Sequence, residues 1–341
     1  MRHQQSPVRR RWREQLGALL VSACASFVYP CCVAQAQAQA WPTRVVKIIV
    51  PFPPGNASDL AARGISEALS TRIGQPVVVE NRAGASGLIG TDLVAKAAGD
   101  GQTLLVTSSA FGITPWVMKN ISYDVERDFT PVNLIAWTAM IIVTNEQLGV
   151  HSVAELIAVL KANPGRYNYG HIGAGSLSNM VMELFKLGAG VDVVAVPYKG
   201  SGQAMADIIG GQLPLMFDGI TSAYPHVRAG RLRGLAVSSR EPSQFAPGIP
   251  PLAQSGVAGL RDYDVRAWIG MLVPSSTPVA LVERINGVMN QVLQDADVRE
   301  RLLKTNLDPY DSQTPQDAAR ALRAEYVKWS RVAREAHIEQ Q

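Results

Sequence analysis

The sequence predicts an α/β protein of two domains, each a mostly parallel sheet flanked by helices. Three observations lead to this prediction. The 341 residues exceed what one compact core usually holds. Strand and helix signals alternate along most of the chain, as in doubly wound parallel sheets. The last 65 or so residues read as helices with no strands of their own, and they must therefore pack on a sheet built elsewhere.

The first domain begins with three strands and two helices. Apolar, β-branched runs predict strands at 45–51, 77–81 and 103–108, and amphipathic segments predict helices at 59–71 and 91–98. Glycine-rich loops join the strands to the helices that follow them. This order is typical of βαβ units, whose connections place the strands parallel.

The second domain repeats the rhythm. Ser152 and Glu155 form the capping-box pattern that opens a helix at 153–162. Strands are predicted at 167–170, 191–196, 213–217 and 232–239, with helices at 178–187 and 202–209.

Two extended runs, 132–145 and 265–274, are predicted to carry the chain between the domains. The helices after the second run, near 279–294 and 316–336, follow Thr-Pro pairs typical of an N-cap and first helical position. Packing of this tail on the first domain makes that domain discontinuous, with residues 41–138 and 264–341 in lobe 1 and 139–263 in lobe 2. The two crossings then form a hinge beside a cleft, and ligands of such sheets lie at the carboxyl ends of the strands.

Residues 1–40 are predicted to be a secretory signal peptide. Five arginines precede an apolar stretch, and the alternating Ala-Gln run at 34–40 supplies the small residues that signal peptidase needs. The alternatives are a membrane anchor and, from the Val-Ser-Ala-Cys sequence at 21–24, a lipid attached to Cys24. We therefore expect a periplasmic protein.

Charge and cysteine content exclude several functions. Without residues 1–40 the chain has 27 basic and 27 acidic residues, and this balance argues against a nucleic-acid partner. All three cysteines lie within the predicted leader, so the mature chain lacks a thiol for catalysis or metal binding. The sequence predicts no cofactor and no metal.

The loop after the first strand is the strongest candidate for ligand binding. Pro53, Gly55 and Asn56 form a tight turn, and Ser58 is expected to cap the helix that contains Asp59. The unpaired N–H groups and partial positive charge of a helix N-terminus suit an anion. Asp59 is read either as a first-turn carboxylate that satisfies helix amides or as a cleft group that accepts a ligand hydrogen bond.

A second glycine loop is predicted to face the first across the cleft. It holds Gly173, Ala174, Gly175 and Ser176, whose amides and hydroxyl could surround a carboxylate, or which could form a simple turn. The remaining candidates end strands or lie beside these loops: Ser108, Ser109, His171 and Asp218.

Enzyme signatures are mostly missing. The chain has no nucleophile-elbow pattern, no phosphate-loop pattern and no paired zinc-ligand histidines. An enzyme in the same cleft would need His171 with Asp59 or Asp218 as its acid–base assembly. The sequence therefore favours a protein that holds a small anion without transforming it.

Taken together, several ordered segments resemble the tripartite tricarboxylate transporter substrate-binding proteins, or Bug receptors. The resemblance covers about residues 41–340, with its strongest segments WPTRVVKIIVPFPPGNASDLAAR, YDVERDFTPV, YNYGHIGAGS and VPYKGSGQAMADIIGGQLPLMFD. It implies a type II periplasmic-binding-protein (Venus-flytrap) fold that closes on a ligand carboxylate, held by loop amides, hydroxyls and waters. By this resemblance the jaws are 53–59 with Ser108 and Ser109, and 173–176 with Asp218.

Two departures from the family pattern affect the expected ligand contacts. The usual Gly-Gly of the first loop is Gly55-Asn56 here, and the usual Ser-x-x-His-Leu of the second is Ser176-Leu-Ser-Asn179-Met180. The resemblance implies a monomeric receptor that captures an organic acid, amino acid or aromatic carboxylate and delivers it to integral membrane transporter subunits. A receptor that docks a membrane sensor protein is the alternative.

Overall fold

In the part of the chain that the structure describes, ten strands form one sheet in the order β2-β1-β3-β9-β4-β7-β5-β6, with β8 and β10 both paired to β4. The computed structural model describes residues 41–340, so the predicted signal peptide and the alternatives of an anchor or a lipid at Cys24 lie outside the described residues. The strands are β1 Val46–Val50, β2 Val77–Asn81, β3 Thr103–Ser108, β4 Phe129–Thr144, β5 Asn168–His171, β6 Val194–Pro197, β7 Leu215–Gly219, β8 Arg233–Val237, β9 Arg266–Pro274 and β10 Asp308–Pro309.

Helices cover both faces of this sheet. They are α1 Ala57–Ile73, α2 Leu88–Ala95, α3 Ala110–Val117, α4 Val153–Ala162, α5 Leu177–Ala189, α6 Ser201–Ile209, α7 Ile220–Arg228, α8 Val279–Gln294, α9 Ala296–Lys304 and α10 Pro315–Glu335. Within 41–340, every helix is too short or too polar to cross a bilayer.

Strand β4 joins the two halves of the sheet. Its first part, through Ala139, pairs with β9, and from Met140 onward it pairs with β7. Sixteen residues of strand are far above the usual five or six, and they are buried on both faces for most of their length. The change of partner lies next to residues 138–139, where the sequence predicts the chain to pass into lobe 2.

The predicted α/β fold class is confirmed, and the parallel prediction holds for the outer strands. The pairs β1–β2, β1–β3, β5–β6 and β5–β7 are parallel. Pairs that include β4 or β9 are antiparallel, because these strands run between the halves and are not products of a βαβ crossover.

The buried residues form several hydrophobic cores. One core packs β1, β3, α1 and α8 around Ile48, Ile65 and Met289. Another packs α4 and α5 against β7 around Leu156, Phe185 and Phe217. Helix α10 contributes to two cores, since Ala318 lies with β4 and β9 residues and Trp329 with α5 residues.

Three helices have no predicted bounds in the sequence interpretation. Helix α3 begins almost directly after β3 and contains Pro115. Because proline usually breaks a helix, the sequence of this segment does not predict one. Helix α7 holds Pro225, and α9 is separated from α8 by Asp295 alone. The expectation for Thr277-Pro278 is also wrong, because Pro278 occupies the N-cap position of α8. Thr314 does cap α10, in a full capping box with Asp317.

Candidate ligand-binding site

The loop between β1 and α1 folds as a turn that presents the start of a helix. Gly55 has φ of +84°, and Asn56, with φ of −77° and ψ of 170°, is the N-cap. The expected cap, Ser58, is instead the second residue of the helix and is buried. The Asn56 side chain accepts from the Asp59 N–H at 2.9 Å. The N–H groups of Ala57 and Ser58 therefore keep no acceptor within the helix.

The buried side chain of Asp59 holds this loop in place through hydrogen bonds. The residue is 2% exposed, and its carboxylate accepts from the Gly55 N–H at 2.8 Å, Asn81 Nδ2 at 2.9 Å and Arg63 Nε at 3.0 Å. Burial alone would raise the pKa of Asp59, but the hydrogen bonds from Arg63, Gly55 and Asn81 outweigh it and hold that pKa below its usual value. Both carboxylate oxygens already have donors, so Asp59 shapes the loop.

We expect Asp59→Asn to lower the free energy of unfolding by about 2 kcal/mol at pH 7, since it removes charge-assisted hydrogen bonds from a buried group. The folded-state pKa is depressed, so this stabilisation is present above the unfolded value of 3.8 and is lost as the pH falls through the folded value. Urea unfolding at pH 7 and pH 3 should show the cost shrinking in acid. Glu300→Gln, at an exposed pair with Lys304, is the control with little effect. An equal Asp59→Asn cost at both pH values would contradict this role.

The serines at the end of β3 lie against the connecting strand β9. Ser109 is buried, and its Oγ accepts from the Trp268 N–H at 3.0 Å. The Ser109 N–H donates to the Trp268 carbonyl at 3.1 Å. Ser108 is half-buried at the last position of β3. The Ser109 hydroxyl therefore makes a hydrogen bond within the protein, whereas Ser108 lies at the last position of the strand.

The second glycine loop also opens a helix. Ser176 is the N-cap of α5 and accepts from the Asn179 N–H at 3.4 Å, which leaves the N–H groups of Leu177 and Ser178 without an intrahelical acceptor. Gly173 and Gly175 have φ of +115° and +71°. Ala174 between them is exposed.

Asn179 holds this loop through a chain of buried hydrogen bonds. Its Oδ1 accepts from the Gly175 N–H at 2.9 Å, and its Nδ2 donates to the Tyr169 hydroxyl at 2.7 Å. Tyr169 in turn donates to Glu183 at 2.5 Å, and Lys186 pairs with Glu183 at 2.9 Å. Burial and the Glu183 carboxylate raise the pKa of Tyr169, so its hydroxyl keeps its proton.

We expect Asn179→Leu to destabilise the protein by about 1–3 kcal/mol and to weaken binding of the carboxylate predicted from the sequence roughly tenfold, because the Gly175 N–H and Tyr169 hydroxyl lose their partner. Asn179→His keeps one acceptor and one donor and should retain most of both. Thermal unfolding and calorimetry measure the two effects. Equal losses in the two variants would show that volume, not hydrogen bonding, matters here.

His171 and Asp218 are both buried at the ends of strands. The His171 Nδ1 has no hydrogen-bond partner among the described residues, and burial lowers the pKa of His171 against opposing effects of the Gly173 backbone and Glu183. Asp218 accepts from Ser201 Oγ at 2.9 Å and from Ser222 Oγ at 2.5 Å. Burial raises the pKa of Asp218, opposed by these hydroxyls. Asp218 thus fixes the starts of α6 and α7.

The structure brings one part of the first lobe against the second loop. A Cβ placed on Gly175 would lie 2.4 Å from Cγ2 of Val117, at the end of α3. Helix α3 begins directly after Ser109, so it runs from one group of predicted ligand residues to the other. Pro53, at the tip of the first loop, is exposed.

Sequence reasoning missed the residues that support the site. Arg63 lies four positions after Asp59, a helical spacing that could have indicated the ion pair. Asn81, Tyr169, Glu183, Ser201 and Ser222 carry no such signal, because only the fold brings them to the loops.

The comparisons with known proteins agree with one another. Residues 61–338 match the family model described as tripartite tricarboxylate transporter family receptor. The Bordetella pertussis protein BugT is 36% identical over 306 residues, which cover 89% of this chain and 92% of that protein.

Two solved structures share the fold over nearly their whole length. An R. palustris protein solved with adipate is 34% identical with a TM-score of 0.74, covering 88% of this chain and 100% of that one. MatC from Rhodopseudomonas palustris, solved with bound malate, is 29% identical with a TM-score of 0.70, covering 86% and 100%. The chain belongs to the tripartite tricarboxylate transporter receptor family, and its fold is the two-lobed fold of periplasmic binding proteins.

Proposed function

We propose that this protein is a non-enzymatic periplasmic receptor that captures a small carboxylate between two lobes, residues 41–138 with 264–341 and residues 139–263. The observation that carries the proposal is the hydrogen bonding of the two glycine loops. Their polar side chains bond within their own lobes, while the first N–H groups of α1 and α5 remain free of helical acceptors. Backbone donors at helix starts favour a carboxylate.

The ligand contacts we propose are therefore mostly backbone contacts. Pro53, Gly55 and Asn56 shape the first loop, with Ser108 beside it, and Gly173, Ala174, Gly175 and Ser176 form the second. His171, with a buried Nδ1 that has no partner within 41–340, is the side chain best suited to bond the ligand. Asp59, Ser109, Asn179 and Asp218 hold these groups in position through the bonds described above.

An acid–base function for the same residues has weaker support. Asp59 is ionised and saturated with donors, so it is a poor base. Asp218 accepts two hydroxyl hydrogen bonds and is 4% exposed.

Two relatives of this family were solved with small carboxylates, one with malate and one with adipate. These ligands support a protein that captures and releases a carboxylate. Closure would be stabilised by contacts that the ligand makes to both lobes. Integral membrane transporter subunits are the partners we propose for the monomeric closed form.

Calorimetry with malate, adipate and benzoate tests the proposal, with the uncharged diamide of adipic acid as the control ligand. Ala57→Pro provides the sharpest variant. Residue 57 is the first of α1, where proline is well tolerated, and the extended Asn56 backbone suits a following proline. The change removes one free N–H and should weaken carboxylate binding about tenfold with stability unchanged, whereas Ala57→Ser should bind normally. Absence of saturable heat with every carboxylate would overturn the proposal.

A further inference from the structure

A cavity lies between α10, α3, β4 and β9. Its volume is about 260 Å³, and none of the thirteen residues predicted to bind the ligand lines it. Aromatic and aliphatic groups form the walls, among them Phe111, Phe129, Trp268, Leu322 and Tyr326. A dry cavity of about 150 Å³ accepts benzene, so this one has room for a single ring with substituents.

One wall of the cavity contains a polar group that the described residues leave unsatisfied. Trp268 is 3% exposed, and its Nε1 is buried with no hydrogen-bond partner within 41–340. A buried indole N–H normally has an acceptor, because losing its water without replacement is unfavourable. The Nε1 is fully buried and so is not open to the cavity, and Trp268 contributes its apolar ring to this wall.

Two arginines and one glutamate lie among the residues that line the cavity. These are Arg320, Arg323 and Glu126. Arg323 Nη1 and Glu126 Oε1 are 4.0 Å apart, a loose pair between side chains that are 78% and 44% exposed. Arg320 pairs with Asp317, one turn earlier on α10. Arg323 is therefore available to an incoming anion at little cost in existing contacts.

We propose that this cavity is a second binding site, for an aromatic monocarboxylate of one ring. The ring fills the apolar interior, and the carboxylate lies against Arg323. The site shares no lining residue with the site proposed between the lobes, and the two are adjacent through the backbone hydrogen bonds of Trp268 with Ser109.

The probe for this site is 4-methoxybenzoate, followed by ligand-observed NMR and by the tryptophan fluorescence of the full mature chain. Ala319 is half-buried and lines the cavity, so Ala319→Leu places a side chain inside it. We expect this variant to weaken probe binding at least tenfold. Ala324→Leu, at an exposed position of the same helix, is the matched control and should bind as the wild type does.

Charge and location are tested separately. Arg323→Gln should weaken the probe several-fold, and the neutral 4-methoxybenzamide should bind more weakly than the acid, while Arg334→Gln, exposed near the end of α10, should change nothing. Ala57→Pro, which acts at the first glycine loop, should leave the cavity's affinity unchanged. The proposal is overturned if the wild type shows no saturable binding of 4-methoxybenzoate, or if Ala57→Pro removes the binding and Ala319→Leu does not.

Discussion

Gly175→Ala is expected to reduce carboxylate affinity about 100-fold or more in a protein that still folds. The residue has φ of +71°, a conformation that costs about 1 kcal/mol for alanine. Its added Cβ would also lie 2.4 Å from Val117 Cγ2, where no real contact fits. The loop must then move away from α3, which carries its N–H groups and Ser176 out of position. A 100-fold loss corresponds to about 2.7 kcal/mol.

Gly190→Ala separates backbone strain from the steric clash. Gly190 ends α5, the helix that the Gly175 loop opens, and has a similar φ of +65°, but a Cβ there meets nothing within 4 Å. It should lose a little stability and bind normally. Isothermal calorimetry on both variants, with circular dichroism to check folding, measures the difference. Normal binding by Gly175→Ala would mean that the second loop does not contact the ligand.

Trp329→Ala is expected to lower the free energy of unfolding by about 3–5 kcal/mol, the range found when large aromatic side chains are removed from cores. Trp329 is fully buried in the core that contains α5 and α3 residues such as Phe185 and Ile113, although its helix is the tail predicted for lobe 1. Its Nε1 also donates to Glu325 at 2.9 Å. The substitution therefore leaves a large cavity where α10 meets α5.

Val327→Ala is the control on the same helix, because Val327 is 60% exposed and should cost less than 1 kcal/mol. Trp329→Phe should fall between the two, since it keeps most of the packing. Urea unfolding monitored by far-ultraviolet circular dichroism gives the three values. A loss below 1 kcal/mol for Trp329→Ala would show that α10 contributes little to the core around α5.

Local sequence signals predicted the first and last residues of several helices and strands. The structure has β2 at Val77–Asn81, β3 at Thr103–Ser108, α4 at Val153–Ala162 and α8 at Val279–Gln294, the bounds that the patterns predict. These segments have clear apolar periodicity and ends marked by proline, glycine or a capping serine. Helices α3 and α7 lack such marks because a proline interrupts each short pattern.

The candidate site was also predictable from the sequence only in part. The glycine loops were visible in the sequence because a strand, a turn and a helix start leave a local signature. The roles of the polar residues within them were not. Asp59, Asn179 and Asp218 look like ligand contacts in the sequence, but each is hydrogen-bonded within the protein to partners such as Asn81, Tyr169 and Ser222 that lie 4 to 22 positions away.

The sequence by itself determined the α/β class, the family and the two helix-start loops, since each depends on residues close together in the chain. Only the tertiary structure decided which side chains those loops use internally, that Gly175 packs on Val117, and that Trp329 joins the tail helix to the core around α5. The physical reason is that hydrogen-bond saturation and close packing depend on distances across the fold, and residues far apart in sequence acquire those distances only when the sheet has formed.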